Sequence, residues 1–214
     1  MHLAADAATL HLIPARHSSP HMHPQLAHIL SELAAARTRL RRLANDTPEA
    51  LWNARVTPTS WSVAECVAHL NITSQSYVPK LRTAIDEARA MGGGAPAHYR
   101  RSFFGFLISA TSGPMTTIGR VRLGRIKTPP NFVPSGDLPK AVVVAEFEQF
   151  QDQLEAFTRE ADGFPLQRAM MQSTFDPRVT YDCYSALLLL PRHQHRHLDQ
   201  AERVNRARVS AAER

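Results

Sequence analysis

The chain carries near its end the stretch Leu-Pro-Arg-His-Gln-His-Arg-His-Leu-Asp-Gln (residues 190–200), which predicts a metal-binding helix. His193 and His197 are four residues apart, so on a helix their imidazoles lie on one face, close enough to bind one metal ion. Gln200 shares that face and is a candidate for a residue that orients one of the metal-binding histidines through a hydrogen bond. His195 points to the opposite side of the helix, and we expect both it and Asp199 to be solvated.

A second motif lies far upstream, where residues 61–65 read Trp-Ser-Val-Ala-Glu. Ser62 and Glu65 have the spacing of a capping box, which predicts that a helix begins here. His69 follows on that helix, and together with the C-terminal pair it predicts a three-histidine site with an open coordination position. Glu65 is also a candidate general base, although capping already accounts for it. Cys66 is a weaker candidate for a fourth ligand, and burial as a small apolar residue is its simpler interpretation.

Apolar residues recur at helical spacing in four segments, which predicts an all-α protein, a four-helix bundle with a long crossover connection. The predicted helices run from about Pro24 to Asn45, from Ser62 to the glycines at 92–94, from about Leu138 to Ala161, and from near Thr180 through the histidines. Pro79 predicts a kink or break near Tyr77, and Pro191 predicts a bend just before the histidine pair.

These boundaries divide the chain into a flexible histidine-rich tail at residues 1–23, a bundle domain at 24–206 and a C-terminal tail at 207–214. The connection at 92–137 contains an uncharged stretch, residues 102–119, whose first half is rich in phenylalanine. Leaving so many aromatic rings in water is costly. We therefore expect this stretch to pack over an end of the bundle or against a second subunit, lining the metal pocket or forming a homodimer contact.

Composition excludes several classes of protein. The 214 residues are 43% hydrophobic, with no apolar run as long as a membrane helix requires, so we expect a globular protein without a membrane span. The beginning of the chain lacks the basic segment of a secretory signal, and only two cysteines occur, which together favour the cytoplasm. The net charge of +6 comes from 22 arginines and three lysines. Because the basic residues show no regular interleaving with aromatic ones, we do not expect nucleic acid to be the main partner.

The motif at residues 61–70 and the motif at 193–200, in this order, resemble those of the DinB-like superfamily. The resemblance covers about residues 24–206. It implies a four-helix bundle in which His69, His193 and His197 bind a divalent metal. From their positions alone, Gln200 and Glu65 are candidates for supporting these ligands, and Gln200 could equally be an ordinary polar residue. Zinc and nickel are the metals that the resemblance favours, and it also favours a homodimer.

Some branches of that superfamily resemble thiol-dependent transferases and isomerases. The resemblance therefore implies a metal-dependent enzyme that uses a low-molecular-weight thiol on a small electrophilic substrate. A hydrolase that uses water at the same position is a related expectation. The alternative is a non-catalytic stress-response or binding protein in which the metal is structural or vestigial. The state of the fourth coordination position distinguishes them, since an open position favours chemistry.

Overall fold

The computed structural model describes residues 22–112, 117–118, 121–122, 128–135 and 137–212. The tail predicted at residues 1–23 lies outside the described residues except for its last two positions. Residues 213–214 also lie outside them, as does much of the uncharged stretch beyond residue 112. The described part is mostly helical, which confirms the predicted all-α class.

Six helices occur in the described residues: α1 (Pro24–Asp46), α2 (Glu49–Trp52), α3 (Val63–Ala90), α4 (Phe103–Ser112), α5 (Lys140–Glu160) and α6 (Cys183–Ala212). A 3₁₀ turn at Pro130–Phe132 precedes α5. The four long helices form a bundle in which α1 and α3 each pack against both α5 and α6. Helices α1 and α3 are therefore diagonal partners, and the predicted four-helix bundle is confirmed.

Two clusters of buried side chains fill the bundle. The first surrounds Tyr77 and joins α1, α3 and α6, with Leu190 among its members. The second surrounds Trp52, whose indole N–H donates to the Leu138 carbonyl at 3.0 Å, and contains Leu198. Because Leu190 belongs to one cluster and Leu198 to the other, the histidine-bearing turns of α6 lie where the two clusters meet.

Helix α4 lies within the connection for which the sequence predicted no helix. It packs against α6 and approaches it closely at Gly105, where an added Cβ would lie 2.1 Å from the Ser185 hydroxyl oxygen. Only glycine fits this contact without a shift of the two helices. The helix was missed because it carries no charged residue and so shows no contrast between a polar and an apolar face.

The described ranges contain four short strands in two antiparallel pairs: β1 (Thr117–Ile118), β2 (Val121–Arg122), β3 (Met170–Gln172) and β4 (Thr180–Asp182). Because β4 pairs with β3, the last helix begins at Cys183 and not near Thr180 as predicted. Asp182 caps its start, accepting from the Ser185 backbone N–H at 2.8 Å and hydroxyl at 2.6 Å. The same carboxylate accepts from the Ser102 N–H at 2.7 Å and so fixes the beginning of α4.

Other boundaries also differ from those predicted. Helix α6 continues to Ala212, beyond the expected domain end at residue 206, because residues 207–212 contain no glycine or proline to stop it. Helix α3 is continuous through Pro79, so there is no break near Tyr77, while the kink that Pro79 also predicts stays a prediction. Pro79 and Gln75, whose carbonyl loses its helical partner, are both exposed, so water can replace the missing hydrogen bond. None of the helices in the described residues combines the length and apolarity needed to cross a membrane.

Candidate metal centre

The capping box at the start of α3 fixes the position of His69. The Ser62 hydroxyl accepts from the Glu65 N–H at 3.1 Å, and the Glu65 carboxylate accepts from the Ser62 N–H at 2.8 Å. Arg55 binds both oxygens of the same carboxylate and lowers the pKa of Glu65 against the effect of burial. The start of the helix is therefore held by four hydrogen bonds, and His69 lies on its second turn.

Helix α6 presents His193 and His197 to α3, as their spacing predicted. The side chains of His69, His193 and His197 converge, with relative exposures of 2%, 8% and 9%. Their ring centroids are 4.4 to 5.1 Å apart, and one ligand nitrogen from each lies within 4.8 Å of the others. The structure thus brings together residues from distant parts of the chain. His69 and His193, whose rings are in contact, are 124 positions apart.

The nitrogen spacing suits a small cation. The Nε2 atoms of His69 and His193 are 3.4 Å apart. In a tetrahedral zinc site with bonds of about 2.0–2.1 Å, neighbouring ligand atoms lie about 3.3–3.4 Å apart. This pair therefore has the separation of two ligands of one ion, and a ligand atom of His197 lies within 4.8 Å of both.

Hydrogen bonding fixes the tautomer of His69. Its Nδ1 lies 2.8 Å from the Phe132 carbonyl oxygen, which can only accept, so Nδ1 carries the proton. The lone pair of Nε2 then faces His193, the arrangement that backbone carbonyls impose on metal-binding histidines. The Nδ1 atom of His197 is buried without a hydrogen-bond partner among the described residues. A buried nitrogen without a partner, beside two facing Nε2 atoms, fits a divalent metal better than a purely structural polar cluster.

Burial keeps the three imidazoles neutral. It is the largest cause of the lowered pKa of His69 and places the pKa of His193 and His197 well below the usual value. The positive charges of neighbouring histidines and of Arg196 lower the pKa of the two α6 residues further. Neutral imidazole is the form that binds metal. A hydrogen bond with Gln200 acts in the opposite direction and raises the pKa of His197; the role of Gln200 in orienting a metal ligand stays a prediction.

Aromatic side chains surround the triad. Trp61 stacks on the His197 ring with centroids 6.0 Å apart and also contacts His69 at 5.1 Å. Phe175, in the turn between β3 and β4, lies 5.9 Å from His193 and 4.7 Å from Phe132. No local sequence pattern marks Phe132 or Phe175 as part of the site, because each is a lone aromatic residue in a loop.

The other candidates have structural positions. Glu65 is held by Arg55 and Ser62, so the capping role accounts for all of its described contacts. Cys66 and Cys183 are both fully buried, and burial raises the pKa of each thiol, that of Cys183 to about 12. Cys66 is not part of the converging group and packs in the cluster around Trp52.

The expectation that His195 is solvated is wrong, whereas Asp199 is partly exposed, as an ion-pair partner of α1. Arg39 of α1 donates to the Asp199 carboxylate and to Glu202, and its guanidinium lies 3.0 Å from His195 Nδ1. The other ring nitrogen of His195 lies 3.4 Å from a Glu32 carboxylate oxygen. A helical projection places His195 opposite the metal face, but α1 covers that side of α6.

The sequence was compared with known families, curated proteins and solved structures. A sequence model described as the DinB superfamily matches residues 32–201, which is most of the chain and includes all three converging histidines. No curated protein and no solved structure gives a significant match.

Proposed function

Because this chain belongs to the DinB superfamily and brings three neutral imidazoles together, we propose that it is a metal-dependent enzyme. His69, His193 and His197 would bind one divalent ion, zinc or nickel, both of which accept imidazole nitrogen readily. In the proposed reaction a low-molecular-weight thiol attacks a small electrophile, in a transfer or an isomerisation. The observation that carries the proposal is the convergence of three buried histidines with no fourth protein ligand among the described residues.

When bound, the ion would act as a Lewis acid that lowers the pKa of a thiol at the open position. The protein's own residues prepare that position. The Phe132 carbonyl holds the His69 ring in the tautomer whose Nε2 is free. Trp61 and Phe175 exclude water from two sides, which strengthens electrostatic interactions inside the site.

One observation favours the second candidate, a binding protein with a structural metal. The three histidines are at most 9% exposed, so access to the site is narrow. Trp61, which stacks on the His197 ring, is itself only partly exposed. If no exogenous molecule reaches the site, the metal would serve to join α3 to α6 and not to activate a thiol.

Metal analysis tests the first step of the proposal. Purified protein should contain about one zinc or nickel ion per chain, and the His193→Ala and His197→Ala variants should lose it. His28→Ala is the matched control, because His28 is an exposed histidine on α1. Wild-type protein that is refolded with excess zinc and remains metal-free would refute a metal site.

Cobalt substitution separates an enzyme from a protein with a structural metal. Replacing the native ion with Co²⁺ gives a visible spectrum that reports on coordination. Addition of a small thiol should change this spectrum and increase absorbance in the sulfur-to-cobalt charge-transfer region if the fourth position is open. A spectrum unchanged by millimolar thiol, azide or cyanide would favour the structural metal.

We also propose a cytoplasmic homodimer. The two free, buried cysteines suit a reducing compartment. Helix α4 exposes a run of large apolar side chains, with Phe103 at 76%, Phe106 at 53%, Leu107 at 49% and Phe104 at 47% relative exposure. Such a patch is unusual on a monomer and typical of an interface. Light scattering coupled to size-exclusion chromatography should give the mass of two chains.

A further inference from the structure

A cavity of about 510 Å³ lies away from the histidine triad, between the start of α1, the residues that lead into α4, and the first half of α6. Its walls include Gln25, Tyr184 and Arg192, and none of the three converging histidines lines it. Arg192 precedes His193 in the chain, but successive side chains on a helix point about 100° apart. The cavity therefore opens on a different side of α6 from the metal centre.

The charge of this cavity is positive. Arg100, Arg101 and Arg192 line it, and among the residues that the structure describes no carboxylate does. Within the described part of the chain these three arginines form no ion pair, whereas Arg37, Arg39 and many others do. The Nε of Arg192 is buried and has no hydrogen-bond partner among the described residues.

Asp182, which binds the Ser102 N–H beside the cavity, has no described hydrogen bond or ion pair with these arginines. Asp182 is fully buried, and its two oxygens accept from the backbone and hydroxyl of Ser185 and from the Ser102 N–H. The described hydrogen bonds of Asp182 thus go to the beginnings of α4 and α6. The arginine side chains of the cavity remain available to an anion from solution, and their planar guanidinium groups suit carboxylate and phosphate.

The remaining walls are aromatic. Tyr99 and Tyr184 stack at 5.0 Å with an interplanar angle of 16°, and both are buried. The Tyr184 hydroxyl accepts from the Gln25 amide at 2.8 Å, which leaves its own proton for a ligand. Phe103 and Phe106 lie at the mouth, and Arg101 stacks over the Phe106 ring at 4.9 Å.

From this arrangement we propose a second binding site, the arginine cavity, that takes a small organic anion: a carboxylate or phosphate group attached to an apolar or aromatic body. The arginines would bind the charged group, with the Tyr184 hydroxyl as a further donor, while the aromatic walls contact the body. The volume is in the range of cavities that hold small organic ligands. The site neither uses nor requires the metal centre.

The test uses the full chain and three probes in calorimetric titrations: phenyl phosphate, benzoate and the neutral benzamide. We expect saturable binding of phenyl phosphate or benzoate and none of benzamide. Arg192→Gln should weaken binding by at least about tenfold, as loss of a charge-assisted hydrogen bond does. Arg159→Gln is the control, because Arg159 is an exposed arginine of α5 paired with Glu155. Arg101→Gln, at an exposed position, keeps the test decisive if Arg192→Gln fails to fold.

Two further arms can overturn the proposal. Binding should be the same after the metal is removed, and its loss in the metal-free protein or in His193→Ala would show that the anion binds at the metal centre instead. Vesicles of phosphatidylserine and phosphatidylcholine test the alternative that the exposed phenylalanine and arginine side chains bind a membrane surface. Sedimentation with these vesicles, without affinity for either aromatic anion, would assign the surface to lipid and refute the arginine cavity.

Discussion

Lowering the pH should destabilise the metal-free protein steeply, and replacing one histidine of the triad should make this dependence shallower. His69, His193 and His197 are at most 9% exposed, and burial lowers the pKa of each. In the unfolded chain these rings return to the ordinary pKa of 6.5. Below that pH the unfolded state binds protons that the folded state cannot, so the free energy of unfolding falls as the pH falls.

The size of the effect follows from the number of groups. Each neutral buried histidine contributes a slope that approaches about 1.4 kcal/mol per pH unit below pH 6.5, until its folded pKa is reached. Three such groups approach about 4 kcal/mol per pH unit. Since a domain is stable by only about 5–15 kcal/mol, the metal-free protein should be close to unfolding near pH 5.

Urea unfolding in the presence of a chelator measures this slope directly between pH 7.5 and 5.5. His193→Gln keeps a polar side chain of similar size and should reduce the slope by about one third, whatever it does to stability at pH 7.5. His28→Gln, at an exposed position of α1, should leave the slope as in the wild type. Equal slopes for wild type and His193→Gln would refute the reasoning, because His193 would then take up protons in the folded state.

Three other changes have defined outcomes. Gly105→Ala should lower the free energy of unfolding by about 1–3 kcal/mol, because its Cβ would overlap α6. The control Gly94→Ala, with open space around it, should stay within about 0.5 kcal/mol of wild type. Equal denaturation midpoints for the two variants would contradict the close contact at Gly105. Ser62→Ala should cost about 1 kcal/mol by removing the capping box, and an unchanged urea midpoint would show that the remaining contacts hold the helix start. Joint replacement of Phe103 and Phe106 by serine should change the mass in light scattering, or ligand binding, more than the helical signal in circular dichroism; no change in mass or binding would make α4 a plain surface element.

The parts of the fold that the sequence predicts correctly are those fixed by neighbours along the chain. Ser62 and Glu65 mark the start of α3 to the residue, because a capping box needs only a three-residue spacing. The shared face of His193 and His197 follows from helical geometry alone. The meeting of that pair with His69 depends on how α3 and α6 are aligned, which local spacing does not determine, and the family resemblance supplied it.

The parts that were missed depend on contacts between distant segments. The strand at Thr180–Asp182 is three residues long and exists because it pairs with Met170–Gln172. His195 was predicted to be solvated because a projection of α6 contains no information on α1, which supplies Arg39. The phenylalanines of α4 were expected to line the metal pocket or to contact a second subunit. Phe103 and Phe106 line the arginine cavity, which the sequence did not predict, while their contact with a second subunit stays a prediction.

The electrostatics of the triad bear on which molecule would occupy its open position. The three imidazoles are neutral, and the negative charge of the Glu65 carboxylate is balanced by Arg55. Arg196 adds a positive charge that is close enough to lower the pKa of His193 and His197. A divalent ion here would keep its full charge in a mostly buried site, which is costly until an anion joins it. A thiolate meets that need, and a neutral ligand does not. We therefore expect the affinity of the metal-loaded protein for a thiol to rise with pH below the pKa of the free thiol. A pH-independent affinity would argue against thiolate binding.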